Sequence, residues 1–311
     1  MEGTIFQYDF IIKGLLGALF ASITAGLAGT YIVSRKMVFL SGGITHASFG
    51  GIGIGYFAGF NPVIGAAIFG ILSAFGVEYL SVSQKIREDS AIGILWAFGM
   101  AIGIIFIYLT PGYSPNLMSY LFGSILTVSN ADIIALGIMS LILILYFSIF
   151  YRTILYISYD EAFARTYSPY VNVFKYVTTA LIALTIVLNI RMAGVILVLS
   201  LLTIPPNIAM IFTRVYSRII VWSIIAGFLG TAAGYAISYF AGIPAGATII
   251  FTLVIIWLII KGIHRLFKTS NQQPGTRNPQ PATSNQQPGT SNQPFPTLTP
   301  DSLGGRPRTN N

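Results

Sequence analysis

Apolar segments of one recurring length punctuate this chain. They are read at 10–33, 38–57, 62–82, 91–109, 133–151, 172–190, 193–213, 219–239 and 244–263. Each is close to the roughly 20 residues that a helix needs to cross a bilayer. Lipid offers no hydrogen-bond partners, so such segments must satisfy their backbone internally, and runs of this length do so as helices. The expected fold class is therefore all-α: a polytopic membrane helix bundle of about nine transmembrane helices. A tenth apolar stretch, Asn116 to Ser129, is too short to cross and reads as a short re-entrant or interfacial segment. Charged residues make up only 8% of the chain, against about 25% in soluble domains. The first apolar stretch, Phe10 to Val33, is longer than a signal-peptide core and lacks a basic leader, so it is expected to remain as a span.

The basic residues behind the net charge of +8 sit mainly in short loops between apolar segments and in the tail, where they set topology. Arg35 and Lys36, Lys85 and Arg87, Arg152 and Arg165, and Arg214 and Arg218 follow the first, third, fifth and seventh spans. Lys261, His264, Arg265 and Lys268 follow the ninth. Basic loops favour the cytoplasm. The expected arrangement is a multi-pass protein of the cell membrane, with its N-terminus outside and its C-terminus cytoplasmic. The basic residues thus answer to the lipid bilayer, and no nucleic-acid partner is implied. The absence of cysteine excludes disulfides and thiolate metal sites.

From residue 269 the composition changes. "TSNQQPGT" occurs at 269–276 and again at 283–290, amid Pro, Gly, Asn and Gln. A segment with so little to bury cannot offset its chain entropy. The expected organisation is a membrane domain at 1–268 and a disordered cytoplasmic tail at 269–311.

"SGGITHASFGGIGIGYFAG", Ser41 to Gly59, is the most unusual span. At helical spacing Gly43, Ala47, Gly51, Gly55 and Gly59 form a row of small residues, which lets a second helix approach at backbone distance. His46 lies off the centre of that row, on a face with Gly42, Phe49, Gly50 and Gly53. Three glycines around one imidazole are expected to clear space for an ion or a few waters. Ser41, Thr45 and Ser48 form an adjacent strip of hydroxyls. An intramembrane polar group usually marks a pathway or faces a bundle interior, and neutral imidazole is a common transition-metal ligand. His264, the only other histidine, reads as an interfacial residue.

The longest loop, about 152–171, contains "SYDEAFARTYSP". Ser158 is expected to cap a short helix, with Asp160 and Glu161 in its first turn, Arg165 near its end and Pro169 stopping it. The chain contains no G-x-x-x-x-G-K-[ST] phosphate loop. It is not expected to be an enzyme, and any ATP-driven work would enter from a separate subunit.

Three stretches carry a family resemblance: "SGGITHASFGGIGIGYFAG", "REDSAIGILWAFGMAIGIIFIYLTPGYSPNLMSYLFGSIL" and "RMAGVILVLSLLTIPPNIA". Over about residues 8–265 the chain resembles the permease subunits of ABC importers for manganese, zinc and iron. The resemblance implies an architecture similar to that of cobalamin and siderophore ABC permeases. It also implies a homodimer that forms the translocation pathway for a divalent metal ion, the substrate, with no permanently bound cofactor. The implied partners are a second copy of the chain, cytoplasmic ABC ATPase subunits and an extracellular metal-binding lipoprotein.

By the same resemblance the 152–171 loop holds the coupling helix. Tyr159, Asp160, Glu161, Ala162, Phe163 and Arg165 would then face the ATPase. Family members often carry an aspartate four residues before the histidine. Here that position is Gly42, which leaves His46 as a transient metal ligand on a path shared with Thr45, Ser41 and Gly42. The alternatives are a permease for chelated iron or cobalamin, and a secondary transporter or channel without an ATPase.

Overall fold

A computed structural model describes residues 9–83, 86–111 and 128–270. Eleven helices run through these residues: α1 (Asp9–Ser34), α2 (Val38–Ala58), α3 (Pro62–Ser83), α4 (Glu88–Leu109), α5 (Asn130–Ile149), α6 (Tyr151–Tyr159), α7 (Glu161–Tyr167), α8 (Val171–Ala193), α9 (Val195–Phe212), α10 (Tyr216–Ala241) and α11 (Ala245–Ser270). The short segment expected at 116–129 falls almost wholly outside the described residues, as does the tail expected from 269, apart from the last turn of α11.

Eight helices are long and apolar enough to span a membrane. The second expected span, α2, falls below that hydropathy although its 21 residues give about 31 Å of helix. The reason is its surroundings. Fourteen of its residues, from Leu40 to Gly55, are buried in protein, so α2 has no need of lipid-compatible side chains. On the other spans Leu72, Ile104, Leu229 and Phe251 are more than half exposed. That is the outward apolar surface a bilayer covers.

Two groups of helices build the core. α2 lies against α3 and α4, while α1 packs on α5, α9 and α10, and α8 bridges the groups through α3 and α2. The chain turns sharply between spans. Gly59 closes α2 in the left-handed region, with φ 73°. Gly194 joins α8 to α9 at φ 81° and ψ 162°, a conformation essentially reserved for glycine. In α9, Pro205 and Pro206 remove two backbone donors. The carbonyl that Pro206 leaves free is that of Leu202, and it faces Gly29 of α1, where any Cβ would collide with it. α1 can therefore run close to α9 at this point.

Candidate functional sites

The face of α2 that carries His46 is the seat of α4. The imidazole stacks on Trp96 of α4, with ring centroids 4.2 Å apart and planes 7° from parallel. One turn along, a methyl on Gly50 would lie 2.8 Å from the Gly99 carbonyl oxygen, and one on Gly53 would collide with the backbone of Gly103. Gly99 in turn lies on the backbone of Ala47, and Gly103 on that of Phe49. The glycines around His46 therefore do not clear a cavity for an ion, as the sequence suggested. They admit the backbone of α4. Gly42 is different: a Cβ there would meet Trp96 and Leu199 at 3.6 and 3.7 Å, ordinary contact distances.

On the opposite side Gly51 meets the backbone of Gly65 in α3, and Gly55 meets Pro62. Gly43 faces Ile92 of α4. Gly59, expected in this packing row, has nothing within 4 Å and serves as the helix cap instead. Small residues on two faces thus hold α2 between α3 and α4.

The hydroxyl strip points into protein. Ser41, Thr45 and Ser48 are fully buried. Each donates to a carbonyl of its own helix: Ser41 to Val38 at 2.7 Å, Thr45 to Ser41 at 2.5 Å and Ser48 to Ile44 at 2.7 Å. Serine and threonine commonly satisfy themselves this way inside helices. In this conformation His46 alone of the four expected pathway residues reaches the surface; it and Trp96 are half-buried, and Gly42 is buried. Among the described residues no three His, Asp or Glu side chains come together as a metal site.

Sequence reading missed a polar row on α9. Thr203 is half-buried, Asn207 is exposed and donates to the Thr203 carbonyl at 2.7 Å, and Ser200 lies one turn before Thr203. The signal was present as polar side chains at helical spacing in an apolar run. An exposed carboxamide on a span calls for cover other than lipid. Trp96 was also missed, because nothing in α4 alone shows that it stacks on a histidine 50 positions earlier.

The helix pair α6–α7 forms the second site. Asp160, not Ser158, caps α7, accepting from the Phe163 N–H at 2.9 Å. α6 continues through Ser158, whose buried hydroxyl donates to Ile154 at 2.7 Å and pairs with Tyr216 at 3.2 Å. Tyr159, Ala162, Phe163 and Tyr167 are exposed, while Ala164 is buried beneath them.

Glu161, expected to face outward, turns toward the bundle. Its carboxylate accepts from Arg165 at 2.7 Å, from Arg35 at 3.1 Å and from Lys175 at 3.1 Å. Lys175 also donates to Glu78 at 2.6 Å. Burial acts to raise the Glu161 pKa. The hydrogen bonds from Arg165 and Lys175, with the charges of Lys175 and Arg35, outweigh it and hold the carboxyl below its ordinary value. Arg165 is half-exposed and divides its contacts between Glu161 and Asn172. At the far end of α8, Arg191 pairs with Asp132 at 2.9 Å. Asp132 and Ser129 form a reciprocal cap on α5.

The pattern of the ABC 3 transport family matches residues 7–263. An uncharacterized membrane protein of Synechocystis is 38% identical over 259 residues, 83% of this chain and 92% of that protein. The manganese transport system membrane protein MntC of Listeria monocytogenes is 32% identical, again over 83% of this chain and 92% of that protein. The solved structure of PsaBC from Streptococcus pneumoniae in complex with Fab superimposes with a TM-score of 0.77 at 29% identity. That match covers 86% of this chain and 97% of the other.

Proposed function

The chain belongs to the ABC 3 transport family, and on that premise we propose that it is the membrane subunit of an ATP-driven importer of a divalent transition metal ion. Manganese is the first candidate, because that is the ion named for the Listeria relative. Zinc and iron are the other candidates: they suit imidazole well, whereas manganese is a harder ion that leans more on oxygen ligands.

One observation carries the proposal: a half-buried imidazole, stacked on Trp96 where α2 and α4 meet, on a membrane span. A single histidine is a weak site, and transport favours weak sites because an ion must also leave. A second copy of the chain would bring a second His46 to the path and cover the polar row of α9. Gly42 leaves the position of the usual carboxylate open, so the imidazole is the principal donor of this path. The stacked indole narrows the space beside it, which suits a bare ion better than a chelate.

The remaining assignments follow from the same premise. ATP hydrolysis belongs to a separate cytoplasmic subunit, which docks on the exposed face of α7 with Tyr159, Ala162 and Phe163. A metal-binding lipoprotein delivers the ion from outside. The N-terminus is external and the C-terminus cytoplasmic. The test is uptake of manganese, zinc and iron in cells that lack their own importers and express this chain with its ATPase and binding protein. Accumulation that needs all three components and favours one of these ions supports the reading. Accumulation without an ATPase, or of a chelate only, overturns it.

A further inference from the structure

The charged residues behind α7 form a chain that leads to the link before the His46 helix and to α3 beside it. Glu161 is the one carboxylate of α7. It binds Arg35, in the three-residue link between α1 and α2, and Lys175 in the first turns of α8. Lys175 is buried and passes its remaining contact to Glu78 of α3. Arg35 is further fixed by donating to Tyr31 of α1 at 3.0 Å. α3 in turn meets α2 backbone to backbone at Gly65 and Gly51. α7 is only seven residues long and sends a single small side chain, Ala164, into the core. Its other apolar contacts, the edge-on rings of half-exposed Phe163 and Tyr167 on Tyr156, tie it to α6.

We propose that Glu161 is the positioning residue that transmits movement of α7 to α2, by one branch through Arg35 and by another through Lys175 and Glu78. This rests on the importer reading above and assigns the inward side of α7 a role distinct from its docking face. Half-buried ion pairs fix geometry better than exposed ones, because both partners give up water and neither finds an equal contact elsewhere. A push or pull on α7 therefore moves the start of α2 and the end of α3 together. Small shifts are carried this way because packed helices have discrete arrangements and do not deform continuously.

The experiment uses the full complex, with ATPase and binding protein, in proteoliposomes. It reads metal ions taken up per ATP hydrolysed and, separately, the ATPase that co-purifies. For Glu161→Gln the ATPase should still co-purify, because the exposed face is unchanged. Uptake per ATP should fall about tenfold, within the range that changes in a coupling network produce.

The chain has no cysteine, so Arg35→Cys with Glu161→Cys supplies a second arm. Joining the two thiols with a bis-maleimide should restore much of the lost coupling, which a general folding defect would not allow. Wild-type uptake per ATP in Glu161→Gln, or a double-cysteine complex whose coupling stays low when cross-linked, overturns the inference alone. A wild-type complex without ATP-dependent uptake overturns the importer reading and this inference with it.

Discussion

α2 and α11 are membrane helices of similar length built on opposite principles. α11 is apolar on most of its surface, with Phe251, Leu258 and Ile259 more than half exposed. It ends in an interfacial group where Lys261 lies over the Trp257 ring, 4.4 Å from its centroid. α2 is buried along most of its length, and its contacts are made by glycine and by back-bonded hydroxyls. Each carries one of the two histidines. His264 on α11 is exposed near the helix end, and His46 on α2 is half-buried and stacked on Trp96 of α4. The difference teaches that in a membrane bundle low hydropathy can mark the most enclosed helix. Lipid selects for apolar side chains, while close helix contact selects for hardly any side chain.

The sharpest way to break this comparison is to add one leucine side chain to each helix. Gly51→Leu drives a side chain into the backbone of Gly65. Backbone cannot yield as a flexible side chain does, so the cost should be several kcal/mol, read as loss of monodisperse protein in detergent. Gly262→Leu has nothing within 4 Å to meet and should leave yield unchanged. Equal tolerance of both changes would show that α2 is not held by close contact.

The two histidines give the next test. His46→Ala should lower metal uptake by at least about tenfold, the scale of a lost ligand or ligand-orienting contact, with normal membrane insertion. His264→Ala should leave uptake at the wild-type level. A reversed result would move the path from α2 to α11.

A smaller effect is expected where α7 meets its partner. Ala162→Trp places a bulky ring on an exposed site beside Phe163. Uptake should fall several-fold, by about 1 kcal/mol of lost docking, and equally for manganese and zinc, since the fault lies far from the metal path. A loss confined to one metal would assign Ala162 to selectivity instead.

The smallest effect concerns pH. The Glu161 carboxyl is depressed below its ordinary value of 4.5. Its contribution to holding α7 is therefore complete above that value and is lost as pH falls through the lower folded value. Hydrogen exchange in α7 should be flat from pH 7 to 5, after correction for intrinsic rates, and should rise only in stronger acid. A rise near pH 6 would mean that another group controls the helix.

Much of this molecule was legible before its structure. The spans follow from segment length and hydropathy, since a backbone in lipid has few ways to satisfy its hydrogen bonds. The helix at 161–167 was visible in its acidic start and in the proline that follows it. The row Gly43, Ala47, Gly51 and Gly55 was readable as a contact surface because helical spacing is a local property. What the row touches was not readable. Gly50 and Gly53 looked like space around an imidazole because a single helix does not show its neighbour, and α4 occupies that face. Ser158 looked like a cap because the continuation of α6 through it depends on packing against Tyr216. Glu161 looked outward because its three cationic partners come from positions 35, 165 and 175, two of them far from its own turn of helix. Sequence alone determined the membrane spans and the small-residue rows, all set within a few turns of chain. Only the tertiary structure decided that His46 stacks on Trp96, that Ser41 and Thr45 turn inward and that Glu161 ties α7 to the bundle, because each depends on which residues distant in sequence the packing brings within a few ångströms.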